Sequence, residues 1–235
     1  MMSSDNNDTL LSHLQALRKV LIKCLLVLAV GVIPMFFISP YVIDLLIGVI
    51  ADGTSLELNF FSPMDVFILQ LKMAVVLDII VCFPYIAHEL WKFLLPALYD
   101  NERKFIKSIV FSSSFLFVFG VLFCLFFILP MVIRFGLSFA TDHIKPVLGI
   151  AHVVSLSLWL ATIFGLMFQF PLITFALLKA EIVSYETLAI KRAYVFVGIL
   201  VVSGVLTPPD IISQLMLTVP TYGLFELGLW FGKNK

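Results

Sequence analysis

Three side chains interrupt long apolar runs with groups that can carry or share a proton: Lys72, Asp78 and Gln169. An ionisable group in hydrocarbon costs about 2.5–3.5 kcal/mol on insertion scales, so it normally faces protein, water or the interface. Lys72 has a stem long enough to snorkel to a membrane surface roughly 9 Å away. Asp78, deeper in the same run, cannot do this, and is either a cavity-facing functional carboxylate or a hydrogen-bonded structural one. Gln169, in "FGLMFQFPL", can hydrogen-bond at mid-span but cannot titrate. Pro171, two residues later, frees a backbone carbonyl that a polar neighbour or water can satisfy. A fourth residue lies between runs, in "LWKFLLPALYDNERKF": Glu102 follows Asp100 and Asn101 and precedes Arg103, Lys104 and Lys107. A carboxylate there suits an external guanidinium, which it can meet through two parallel hydrogen bonds. The plainer alternative is a helix start, with acids at the positive end of its dipole and bases marking topology.

Other chemistry has no foothold. There is no glycine-rich phosphate loop, no paired-histidine zinc spacing and no serine elbow. His13, His88, His143 and His152 fall in flanks on both sides of the membrane, which argues against a shared metal site. Cys24, Cys82 and Cys124 lie in apolar runs and read as packing residues. Neither an enzyme nor a cofactor is expected. The zero formal net charge offers no basic field for nucleic acid.

The elements that must position these residues are membrane helices. Of 235 residues 61% are hydrophobic and 13% charged, with mean hydropathy +1.11, and the apolar runs approach 20 residues rather than alternating in short strands. The expectation is a single all-α integral membrane domain, 1–235, with spans at about 20–38, 66–87, 108–133, 153–178, 193–206 and 211–230. The first run lacks a small-residue cleavage pattern and reads as a retained span. Lysine and arginine cluster in the N-terminal flank, the second and fourth connections and the tail, leaving only Arg134 and Lys145 opposite, so both termini are expected in the cytoplasm. The first outer connection, "SPYVIDLLIGVIADGTSLELNFFSPMDVF", reads as a cap with short helices along the membrane surface. The fifth run has fourteen residues, roughly 21 Å as a helix, too short for a layer near 30 Å, and "TPPD" stops it. Spans five and six therefore form a short hairpin in an uneven, concave bundle. No internal repeat or pair of broken helices supports a secondary transporter.

Five segments together resemble a known family. They are "LLSHLQALRKVL", "FPYIAHELWKFLLPALYDNERKF", "FGLMFQFPL", "KRAYVFVG" and "LTPPDIISQ", in order over essentially the whole chain. On these the chain is identified as a member of the TatC family of the twin-arginine, Sec-independent protein translocase. The resemblance implies a six-span, cup-shaped bundle with cytoplasmic termini in the bacterial inner membrane. It implies a receptor for twin-arginine signal peptides that assembles with TatA/TatB-type single-span partners, is oligomeric, and moves folded cargo using the proton-motive force. Glu102 then matches the family's acid for the twin arginines, with Phe93, Pro96 and Leu98 around it and His13, Leu14, Leu17 and Arg18 on the same cytoplasmic surface. Gln169, Asp78, Pro171 and Asp210 form the expected intramembrane polar, partner-binding set, with lipid as the surrounding partner.

Three positions depart from the family pattern. Ala16 stands where "HLxELR" has Glu, Gln169 where Glu is frequent, and Ala193 where proline is frequent. Asp78 is a candidate to supply, on the concave face, the mid-membrane carboxylate that Gln169 lacks. Two other readings stay open: a small proton- or ion-coupled permease using Lys72 and Asp78, and a structural paralogue that assembles without binding signals.

Overall fold

The computed structural model describes residues 4–51, 58–59, 61–94, 103–138, 148–180, 182–206 and 211–233; the side chains of 4–13, 51, 58, 63, 103–106, 148 and 212 fall outside that description. The chain is helical almost throughout. It begins with α1 (Ser4–Ala51), a two-residue strand β1 (Leu58–Asn59) and α2 (Pro63–Leu94). Next come α3 (Arg103–Phe123), a π turn (Cys124–Ile128), α4 (Leu129–Leu137) and the strand β2 (Leu148–Gly149). The rest is α5 (Ile150–Met167), α6 (Phe170–Lys179), the short α7 (Tyr185–Ile190), α8 (Arg192–Leu206) and α9 (Ile211–Lys233). Among the described residues, four segments are long and apolar enough to cross a membrane: 14–50, 64–94, 107–137 and 150–179.

The first expected span needs correction. A helix of 48 residues replaces the run at 20–38, and residues 39–51, expected in surface helices of a cap, continue it. Pro34 and Pro40 lie inside α1 without ending it. A proline removes one bond to the carbonyl four residues back, and for Pro40 that carbonyl belongs to Phe36. The buried Ser39 hydroxyl donates to Phe36 O at 2.8 Å, so that carbonyl is satisfied. Unwinding in an apolar layer would strand several backbone groups instead of one.

Proline shapes two other spans. Before Pro130 the helix widens into the π turn, where Leu129 N–H reaches back to Cys124 O. Before Pro171 it breaks between α5 and α6, where Gln169 N–H turns to Leu166 O at 3.0 Å in a tighter turn. Helix α2 starts cleanly because "SPMD" is a capping box with proline in the first helical position. Asp65 Oδ2 accepts from Ser62 N–H at 3.1 Å and Ser62 Oγ from Met64 N–H at 3.3 Å.

Strands β1 and β2 pair in parallel, Leu58 with Leu148 and Asn59 with Gly149. This staples the start of α2 to the start of α5 and defines one end of the bundle. The 150–179 segment is the hub, with 56% of its most apolar window buried against 6% for α1. Its core contacts include Phe164 and Phe168 against Phe123 of α3, while Phe83 of α2 stacks on Phe117 of α3 at 3.8 Å between centroids. Helix α1 packs on the flank of α2, and α8 and α9 share a smaller core around Ile199, Phe225 and Leu229.

Candidate functional site

At the end opposite the strand pair, Lys23 Nζ of α1 lies 3.1 Å from Glu89 Oε2 and 3.4 Å from Oε1 on α2. The lysine is half exposed and the carboxylate nearly buried. The pair sets an antiparallel register that continues inward through Gly31 beside Asp78 and Phe36 against Phe67. Followed outward, the same register brings Arg18 level with the end of α2 at Leu94, and α1 carries Leu17 and Leu14 past that end. Arg18 and Leu14 are exposed, and Leu17 and Phe93 are half-buried. Helix α3 returns from this end, beginning at Arg103. Glu102, Pro96, Leu98 and Asp210 lie outside the described residues, as does the side chain of His13.

The same end gathers further charge. Arg192 Nε of α8 lies 3.1 Å from Glu226 Oε1 of α9, and Tyr222 Oη donates to that oxygen at 2.8 Å. Lys233 Nζ lies 5.9 Å from the Tyr185 ring centroid. Glu89 and Glu226 were not foreseen, although each sits in an apolar helix. Their cationic partners are more than 30 positions away, so only the packing of the helices reveals them.

The polar groups deeper in the bundle do not form one cluster. Gln169 is buried and fully engaged with α3 and its own helix. Its Oε1 accepts from Ser113 Oγ at 2.5 Å, and its Nε2 donates to Ser113 O at 3.2 Å and Gly165 O at 3.3 Å. The Gly165 carbonyl is the one that Gln169 N–H abandons for Leu166, so the side chain satisfies the carbonyl that the tighter turn leaves. Ser113, in the run "SSS", is the partner that sequence reasoning overlooked.

Asp78 is 1% exposed and faces α1 instead. Oδ1 accepts from Cys82 Sγ at 3.2 Å, and Oδ2 has no hydrogen-bond partner among the described residues. Gly31 lies so close to the carboxylate that any Cβ there would overlap it. Gln169 and Asp78 therefore face different helices, and Asp78 does not stand in for a carboxylate at the position of Gln169. Lys72 points away from Asp78 as well, its Nζ donating to Ser155 Oγ of α5 at 3.0 Å. Lys72 and Asp78 do not line one path, which removes the main support for a permease.

One bond joins the terminal hairpin to the bundle and another ties its two helices together. Trp159 Nε1 of α5 donates to Leu206 O at 2.9 Å, capping an orphan carbonyl at the end of α8. Gln214 Nε2 of α9 donates to Leu200 O at 3.0 Å.

Long apolar helices whose polar groups are paired with neighbouring helices define a multi-pass membrane protein. The model of the family "Sec-independent protein translocase protein (TatC)" matches residues 12–220, and the chain belongs to that family. The TatC of Carboxydothermus hydrogenoformans is 33% identical over 230 residues, covering 97% of this chain and 94% of that protein. That of Escherichia coli K12 is 33% identical over 241 residues, covering 99% and 91%. A crystal structure of the twin-arginine translocase receptor TatC in DDM superposes with a TM-score of 0.84 at 29% identity, covering 94% of this chain and 99% of that one. The chain is therefore a protein-transport component of the Sec-independent translocase.

Proposed function

We propose that this chain is the signal-receiving core subunit of the translocase, with Glu102 as the carboxylate that meets a guanidinium of a twin-arginine signal peptide. The observation that carries the reading is the α1–α2 register held by Lys23 and Glu89. In its support, α1 carries exposed Arg18 and Leu14 and half-buried Leu17 on past the Phe93 end of α2, and α3 begins one residue after Glu102. A mixed apolar and charged surface of this kind suits a peptide that carries both arginines and leucines. Pro96, Leu98 and His13 belong to the same proposed surface.

In this reading the bundle makes six traverses, with α8 and α9 as the last two, and forms a cup. The end carrying Arg18, Lys19, Lys23, Lys92, Arg192 and Lys233 faces the cytoplasm of a bacterial inner membrane, in keeping with the positive-inside rule. TatA/TatB-type single-span partners dock on intramembrane surfaces that include the polar residues near Gln169, Pro171 and Asp210, and the proton-motive force drives transport.

The test is binding of a twin-arginine peptide to the protein in lipid nanodiscs, against a twin-lysine peptide. Arginine-selective binding is expected, weakened about tenfold or more by Glu102→Gln, the scale of one charge-assisted contact. Binding indifferent to both controls would sink the receptor reading and leave a structural subunit.

A further inference from the structure

We propose that the groove between α2 and α5 holds the phosphate of a membrane phospholipid, with Lys72 and Ser155 as its ligands. The inference rests on the chain's being a membrane protein and not on the signal-peptide reading. The groove has a volume of about 480 Å³. Its walls include Leu71, Val75 and Leu158, with Trp159 deeper along α5 and Lys72 and Ser155 as the polar pair.

Depth and charge select the occupant. Strands β1 and β2 pair just before α2 and α5 begin, Asn59 with Gly149. Lys72 follows Pro63 by nine residues, roughly 14 Å along the helix, whereas Ser155 follows Ile150 by five, roughly 7 Å. The 3.0 Å bond to Ser155 therefore draws the ammonium toward the strand-paired end of the bundle, the direction in which a lysine snorkels to lipid headgroups. Ser155 Oγ is the one polar partner of Lys72 among the described residues. The ammonium has three donors and spends one, and the serine hydroxyl can donate while it accepts. An anion above the pair thus finds two N–H groups and one O–H.

The groove is open because the terminal hairpin is short. Leu206, the last residue of α8, is held at the level of Trp159, about 14 Å down α5 from its start. Only four residues separate it from α9. The upper part of α5 is left to lipid, and apolar walls below a cation fit acyl chains below a phosphate. Lipid phosphate is already resident in the headgroup layer toward which the ammonium is drawn.

The test is native mass spectrometry of the detergent-purified protein titrated with dioleoylphosphatidylglycerol. Lys72→Met, which keeps the apolar stem, is expected to weaken the first bound lipid about fivefold, the contribution of one lysine near an anionic surface. Lys72→Arg should stay near wild type, which keeps the test decisive if the Met variant folds poorly. Arg134→Gln, which removes a cation lining a different groove at the same end, should have little effect. Dioleoylglycerol, which lacks the phosphate, and inorganic phosphate, which lacks the chains, should both fail to compete. Unchanged affinity in well-folded Lys72→Met would overturn the proposal. So would an equal loss in Arg134→Gln, which would mean diffuse surface attraction, or displacement of the lipid by either competitor.

Discussion

Gln169 illustrates how one side chain can decide whether a broken span is tolerated. All three of its hydrogen bonds lie in the buried seam between α3 and the α5–α6 break, and two of them occupy backbone carbonyls. Gln169→Leu leaves the Gly165 carbonyl and the Ser113 pair unsatisfied, and a loss of about 1–3 kcal/mol is expected in thermal unfolding in detergent. A melting temperature left unchanged by Gln169→Leu would contradict this account of the seam. The polarity of Gln169 and the carbonyl freed by Pro171 were both legible in the sequence. The bond of Gln169 to Ser113 was not, because Ser113 is 56 positions away.

Between elements, the contact of α1 with α2 turns on a glycine. At Gly31 a Cβ would overlap the Asp78 carboxylate, so Gly31→Ala must push the two helices apart or force the aspartate from its place. A cost of about 1–3 kcal/mol is expected, and adding Asp78→Ala should recover most of it, a coupling measurable by a double-mutant cycle of thermal unfolding. If the second substitution only adds to the damage, the contact is not the cause. Most helices were readable as apolar runs, since 66–87, 108–133 and 153–178 fall within segments of crossing length. The end of α1 was misread because Pro34 and Pro40 look like stop signals locally. What carries the helix past Pro40 is the Ser39 bond to Phe36. The β1–β2 staple left no signal either, since two residues per strand are too few for a pattern.

At the scale of the whole molecule, the helices differ greatly in length, and a membrane must accommodate all of them. Helix α8 has 15 residues, roughly 22 Å, against a hydrocarbon layer near 30 Å. The protein should therefore melt at a higher temperature in bilayers of short-chain than of long-chain phosphatidylcholine, because thinning the layer costs less where it is already thin. The reverse order would mean that neighbouring helices shield α8 completely. Helix α1 has the opposite character. Its 48 residues extend roughly 72 Å, and it leans on the bundle from outside. Gly31, seated against Asp78, stands a little past its middle and acts as a fulcrum. A rotation of about 5° there sweeps each end through about 3 Å, in opposite directions on the two sides of the membrane. The helix that carries Leu14 and Arg18 at one end is thus also a lever, whose other arm ends at Ala51, near the strands that staple the bundle.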